Sequence, residues 1–385
     1  MRAQRAAGAH KTAQRIALIL LAASAGSMPS LQPLIVGSLL DAGHVSLHQL
    51  GHVAAIEALS MAAAVLLAPS LPLLRDFGRT AAMALLVMIA ANVATGFSHG
   101  GAVIACRAVA GLGEGLLLWI FVGAITREPD PGRIFAVYVT VLAAWGFLLS
   151  SLISHWLAPA LGPRGPYLAF AAINIALLPF CRFVPAPAPP LPSPSPPDGP
   201  RGALPPAGLV GLGGVALFLC GIMAFWSYAV PLIRETTSTG LAMETVVPFV
   251  IGVHILGGLV AALTSRFPPV LACTLGPLAL TLCMAAVVLV DSLAVQYLAL
   301  LLFSFLWMFV PPFQLPLLLA IDPTARAAAS IAGGHLIGLA AGPFLASLAV
   351  TRASAQGVLI VAAACLIAAA SMPLLALALA RRRPF

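Results

Sequence analysis

Twelve apolar runs, each about long enough to cross a bilayer, constrain this chain more than any other feature. They cover residues 16–40, 48–74, 79–98, 101–126, 132–157, 166–184, 208–233, 246–265, 269–290, 294–320, 326–350 and 355–380 of 385. A helix needs roughly 20 apolar residues to pass through the hydrocarbon core, where every backbone polar group must be satisfied within the protein. The runs are continuously apolar, whereas the strands of a membrane β-barrel alternate, so a barrel is excluded. Charged residues make up 8% of the chain, against about 25% in a soluble domain, too few to cover a water-facing surface. Runs and loops together use the whole length and leave no room for a soluble catalytic domain. The fold class expected is all-α and integral to the membrane, with twelve transmembrane helices, spans 1 to 12.

The formal net charge of +8 does not read as a nucleic-acid footprint, because of where the basic residues lie. With the N-terminus inside, the inner segments carry Arg2, Arg5, Lys11, Arg15, Arg75, Arg79, Arg127, Arg133, Arg182, Arg201, Arg266, Arg326, Arg381, Arg382 and Arg383. The outer loops carry only Arg164, Arg234 and Arg352, and Arg107 falls within span 4. The positive-inside rule then places both termini in the cytoplasm and makes the lipid bilayer, not nucleic acid, the partner of this charge. Abundant Ala, Gly and Pro, with Arg in excess of Lys, suggest a GC-rich bacterial genome and so the inner (plasma) membrane. Ala23-Ser24-Ala25 before Gly26 resembles a signal-peptide cleavage site, but the apolar run continues to Leu40 and the internal repeat needs this helix, so it is read as span 1. The six cysteines sit in or at the end of apolar runs without CxxC or zinc-ligand spacing, and read as small hydrophobes. No metal and no cofactor are expected.

From Pro185 to Pro206, eleven of 22 residues are proline, a composition that forms an extended spacer and no helix. It separates a first unit, 1–184, from a second, 208–385, with 185–207 as a cytoplasmic linker and six spans on either side. The two units echo each other. Asp130-Pro131-Gly132-Arg133 lies between spans 4 and 5, and Asp322-Pro323-Thr324-Ala325-Arg326 lies 192 residues later between spans 10 and 11. In both, the Asp is placed to cap the following helix and the Pro to take its first position.

With this 6+6 arrangement the chain resembles a major facilitator superfamily transporter along nearly its whole length. Leu73-Leu74-Arg75-Asp76-Phe77-Gly78-Arg79 is similar to that family's cytoplasmic motif between spans 2 and 3, with acid and base in reversed order and Leu71 in place of the leading glycine. The resemblance implies that Arg75, Asp76 and Arg79, with Asp130, Arg133, Asp322 and Arg326, form a cytoplasmic gate that latches the halves in the outward-open state. Arg107-Ala-Val-Ala-Gly111-Leu-Gly113-Glu114-Gly115 resembles the span-4 pattern R-x-x-x-G-x-G of proton-coupled members, and the added Glu114 resembles the spinster-type variant. Span 1 lacks the acidic residue those relatives generally carry. The span-5 pattern G-x-x-x-G-P of drug antiporters is also missing, while Gly338-x-x-x-Gly342-Pro343 stands in span 11.

Charges inside a membrane span cost about 2.5–3.5 kcal/mol each on insertion scales and are functional hypotheses by default. There are three, Glu57 in span 2 with Arg107 and Glu114 in span 4. Arg107, Gly111 and Glu114 share one helical stripe, so Arg107 can reach either carboxylate, and an exchange of partners would couple proton transfer to conformation. Gly111, Gly113 and Gly115 read as close helix packing, not as a phosphate loop. His44, His48 and His52 recur every four residues at the start of span 2 and could form a proton- or metal-accepting patch, or a solvated interfacial face. Trp226 and Tyr228 precede Pro231 in span 7, and Trp307 precedes Pro311 and Pro312 in span 10. These prolines mark both spans as candidate gating helices, and Trp145-Gly146 marks a candidate hinge in span 5. With Arg107, the residues Gln32, Trp226, Tyr228, Trp307, Gln314, His335 and His254 are the candidates for a substrate cavity.

The function expected is proton-coupled secondary transport of a small amphipathic organic solute, an organic anion or carboxylate, by rocker-switch alternating access in a monomeric protein. A spinster-like exporter of lysolipids or amphiphilic drugs is the alternative, and a non-transporting receptor or scaffold on the same fold is the rival from another class. No nucleophile elbow, metal-hydrolase motif or Walker loop points to an enzyme.

Overall fold

The structure, a computed structural model, describes residues 2–128, 131–186, 204–264, 266–351 and 354–381. Eleven helices are long and apolar enough to cross a membrane, and His10–Gly26 with Met28–Asp41 makes a twelfth span bent by 40°. Spans 2 to 6 are Leu47–Ser70, Phe77–Phe97, Gly101–Ile125, Arg133–Leu161 and Arg164–Phe183. Spans 7 to 12 are Pro206–Ser227, Thr245–Leu263, Pro269–Leu289, Leu293–Ile321, Ile331–Ala349 and Gly357–Arg381. Most of the expected linker, 187–203, lies outside the described residues. Leucines and isoleucines such as Leu282, Leu298 and Ile360 stand about 70% exposed, an apolar outer surface that a bilayer, not water, must cover.

Proline accompanies the breaks within the spans, although Pro248, Pro277, Pro343 and Pro373 are carried inside unbroken helices. Pro29 has no N–H for the carbonyl of Ala25, and the first helix of span 1 stops at Gly26; the Ser27 hydroxyl donates back to the carbonyls of Ala23 and Ser24 at 2.9 Å. Pro231 deprives Ser227 in the same way, so span 7 ends at Ser227 and a separate helix, Ala229–Thr236, follows Tyr228. Span 10 divides at Val310, ahead of Pro311 and Pro312. Span 5 departs from the sequence expectation. Its helix runs straight through Trp145-Gly146, and the irregular stretch is a π turn at Ile153–Leu157, where Pro159 withdraws the N–H that the His155 carbonyl would use.

The two six-span bundles repeat each other's packing. Span 4 packs on spans 2 and 3, and span 3 on span 6; in the second bundle span 10 packs on 8 and 9, and span 9 on span 12. Spans 2 with 11 and 5 with 8 carry the interface between bundles, and these pairs interchange when six is added to or subtracted from each number, as a pseudo-two-fold axis requires.

We refer to the two ends of the bundle as the Asp41 face and the Arg79 face. Near the Asp41 face hydrogen bonds between the described residues tie the halves together. Arg234 Nη1 donates to Asp41 Oδ1 at 2.6 Å, and the Gly51 N–H donates to the Tyr228 hydroxyl at 2.9 Å. Ser227 Oγ donates to Gln32 Oε1 at 2.7 Å, and Trp226 Nε1 to the Ser30 carbonyl at 3.1 Å. At the Arg79 face the pairs Arg79–Asp76 (3.4 Å) and Arg15–Glu128 (2.6 Å) each stay within the first half. The seam is fastened at the Asp41 face.

Candidate functional site: a buried charge cluster

Span 4 has no bulky side chain at Gly111, Gly113 or Gly115, and its neighbours use the space. A Cβ on Gly111 would collide with the backbone carbonyl of Glu57, one on Gly115 with that of Met61, and one on Gly113 would stand 2.9 Å from the Ala84 carbonyl. Span 2 therefore lies against one edge of span 4 and span 3 against another, through small residues as membrane helices pack without a hydrophobic driving force. This close approach delivers the Glu57 side chain to span 4. Gly111→Val is expected to destabilise the protein by about 1–3 kcal/mol through overpacking and to pull Glu57 away from Arg107. A lowered melting temperature in detergent checks the first effect, and loss of transport the second.

Arg107 is fully buried, and Glu57, Glu114 and Asn92 are at most 5% exposed. The guanidinium bridges all three. Nη1 donates to Asn92 Oδ1 at 2.7 Å, and Nη2 is shared between a close contact to Glu57 Oε1 and a longer one, 3.4 Å, to Glu114 Oε1. The Tyr167 ring of span 6 lies 5.6 Å from Arg107 Cζ, and among the described residues neither Arg107 Nε nor the Tyr167 hydroxyl has a hydrogen-bond partner. Glu57 and Glu114 were expected to be alternative partners; in this structure both contact Arg107 at once, because Gly111 lets the Glu57 backbone of span 2 lie against span 4. With both ionised, one cation faces two anions and the cluster carries an unmatched negative charge in a medium that penalises it. One proton on either carboxyl makes the cluster neutral. Asn92 and Tyr167 escaped the sequence reading. An amide in an apolar span was a usable signal for Asn92; nothing local distinguished Tyr167.

The other predicted residues fall into three places. Gln32, Trp226 and Tyr228 lie in the fastened seam and are buried there. Trp307 meets Trp226 edge to face at 5.8 Å and His254 at 4.9 Å, beside Phe303. His254 Nε2 has no partner within this aromatic group. His335, half-buried, hydrogen-bonds Gln314 at 2.8 Å. The histidine stripe does not form. Ser46 caps span 2 in a reciprocal pair with Gln49, so the helix starts after His44, which packs on His99 at 3.9 Å while His48 packs on His52. Burial, followed by the neighbouring His99 and Arg164, lowers the pKa of His44, which weakens a proton-accepting role. Among the described residues no group of three or more His, Cys, Asp or Glu could hold a metal ion.

The sequence model of the Major Facilitator Superfamily matches residues 16–332. This chain belongs to the Major Facilitator Superfamily. A search of curated proteins gave no sequence match. Solved structures share the fold over nearly the whole chain. They include the inward-open xylose transporter XylE from E. coli, with TM-score 0.70, 14% identity, and 96% of this chain and 95% of that one covered. A bacterial homolog of the human lysosomal transporter Spinster, inward-facing and unoccupied, gives 0.66 and 12%, covering 96% of each chain. A mutant form of the nucleoside transporter NupG gives 0.68 and 10%, covering 95% and 99%. The protein is a multi-pass membrane transporter of this superfamily, not an enzyme. Its irregular spans 1, 7 and 10 and its charge-bearing span 4 are the leading helices of the four three-helix repeats of the fold.

The superfamily's loop between spans 2 and 3 is built locally here. Asp76 caps span 3 by accepting from the Arg79 N–H at 3.0 Å and pairs with the Arg79 side chain on the surface. Arg133 stands in the first turn of span 5, and Asp130 lies outside the described residues. Between spans 10 and 11 the expected cap is altered, because Thr324-Ala325 delays the helix. Pro323 sits in a turn, Ala325 is left-handed at φ 56°, and Arg326 opens a short helix, Arg326–Ala329. Asp322 nevertheless accepts from the Ala327 N–H at 2.9 Å, and from the Thr324 hydroxyl and N–H at 2.6 and 3.0 Å. Burial opposes its ionisation, but these hydrogen bonds together hold its carboxyl below the usual carboxylate range. A depressed folded-state pKa contributes stability above the unfolded value of 3.8 that is lost as pH falls through the folded one. Asp322→Ala is expected to cost about 1–2 kcal/mol at neutral pH and to flatten the acid limb of the melting-temperature profile.

Proposed function

We propose that this protein is a proton-coupled secondary transporter of a small amphipathic organic anion, working by alternating access. The observation that carries the proposal is two carboxyls and one guanidinium, all buried in the first half, with one proton needed for neutrality. A proton on the carboxyl pair loosens its hold on Arg107, and an anionic substrate can then take that place; its departure lets a carboxylate return and release the proton elsewhere. The aromatic group of Trp226, Phe303 and Trp307, with His254 and its unpartnered nitrogen, is suited to the apolar body of such a solute. Bias in the basic residues supports a cytoplasmic Arg79 face with cytoplasmic termini, and in that orientation a seam fastened at the Asp41 face corresponds to an inward-facing state. A single chain carries both halves, which suits a monomer, and its composition suits an inner membrane.

Purified protein in liposomes tests the reading with a panel of aromatic and aliphatic carboxylates beside lysolipids and cationic amphiphiles. A pH gradient alone should drive carboxylate accumulation, and a protonophore should abolish it. Lysolipid movement without carboxylate movement would favour the exporter that the Arg107–Gly115 motif also resembles. Cross-linking Asp41→Cys to Arg234→Cys across the seam should stop transport, with recovery on reduction; undiminished function would support the scaffold instead.

A further inference from the structure

Apart from the charge cluster, spans 1 and 5 part at the Arg79 face around a cavity of about 380 Å³. Arg15, Ile16 and Ile19 line it from span 1, and Arg133, Ile134 and Val137 from span 5. Both helices run inward from this face, so the cavity is graded. The arginines stand at its mouth, while Ile19 and Val137, each four residues further along, lie about 6 Å deeper. Arg133 is also in the first turn of the helix Pro131–Leu152, where the N-terminal dipole favours an anion. Arg15 is 44% exposed and is held by Glu128 at 2.6 Å, a surface pair that contributes little to stability and can open to a ligand.

We propose that this cavity binds an amphiphile with a phosphate or carboxylate head, seated on Arg15 and Arg133, and an apolar chain laid along Ile16, Ile19, Ile134 and Val137. Two sources have this chemistry, an anionic phospholipid of the surrounding leaflet and a soluble amphipathic anion. Basic pockets between spans at the face richer in Lys and Arg suit lipid head groups. Glu128 competes with the head for Arg15, and this gives the site an unusual signature: removing the acid strengthens binding.

Delipidated full-length protein is titrated with phosphatidylglycerol, phosphatidylcholine, decyl phosphate and inorganic phosphate, with occupancy read by native mass spectrometry and melting temperature followed in parallel. Phosphatidylglycerol should bind in preference to phosphatidylcholine. Its affinity should fall about tenfold in Arg15→Gln/Arg133→Gln and rise about threefold in Glu128→Gln. The same pattern with decyl phosphate, and without phosphatidylglycerol, supports the site and assigns it to a soluble amphiphile. If the bridge were only structural, both variants would weaken binding and lower the melting temperature, which overturns the proposal. Arginine-independent binding overturns it as well, as does inorganic phosphate binding as tightly as decyl phosphate. Binding is read without transport, so a negative result leaves the reading of the Arg107 cluster intact.

Discussion

Arg107→Ala is expected to abolish transport and to lower stability by about 3–5 kcal/mol, the cost of removing one partner from a buried ionic group. Without the guanidinium, Glu57 and Glu114 face each other among Tyr167, Asn92 and apolar side chains, and Asn92 Oδ1 loses the donor it has at 2.7 Å. Proton uptake neutralises the carboxylates only in part, so the loss should be largest at high pH. Adding Glu57→Gln to Arg107→Ala should recover part of the stability and none of the transport. Melting temperatures in detergent and uptake into liposomes separate the two effects. A stable Arg107→Ala protein that still transports would remove the cluster from the mechanism.

Glu114→Gln is expected to produce the second large effect, with a different signature. The amide can still accept from Arg107, so the fold should persist with a melting temperature near that of the parent, but the side chain takes up no proton. Exchange of solute for solute across a liposome membrane should survive, while accumulation driven by a pH gradient should disappear. For one proton per cycle the parent gains about tenfold accumulation per pH unit, and the variant should gain none. The sign of the pH dependence follows from charge: acid conditions supply the proton that frees Arg107, and alkaline conditions leave it bound to two carboxylates. Full pH dependence in both Glu114→Gln and Glu57→Gln would exclude this cluster as the coupling site.

These expectations rest on different kinds of information. Each span announces itself by local composition, since an apolar run of sufficient length has few other solutions in a bilayer. The breaks at Tyr228 and Val310 were local in the same way, each beside a proline that lacks an N–H, whereas the break at Ser27 was not anticipated and Pro248, Pro277, Pro343 and Pro373 are carried inside unbroken helices. Glu57, Arg107 and Glu114 were conspicuous for the same reason, as charges where charge is expensive. Readings that assumed an ideal helix fared worse. His44 left the stripe with His48 and His52 because Ser46 starts the helix after it, and Asp322-Pro323 lost its expected place to two extra loop residues.

The sequence by itself therefore determined the number of spans, their division into two sets of six, and the three charges that lie within them. Tertiary structure alone decided that both carboxyls reach Arg107 together, that Asn92 and Tyr167 complete the cluster, and that Trp226, Tyr228 and Gln32 close a seam near the Asp41 face. The physical reason is range. Hydrophobicity and proline chemistry act over one or two helical turns, whereas the meeting of Glu57 with Arg107 depends on how closely two helices approach across Gly111, a distance set by packing between segments 50 residues apart.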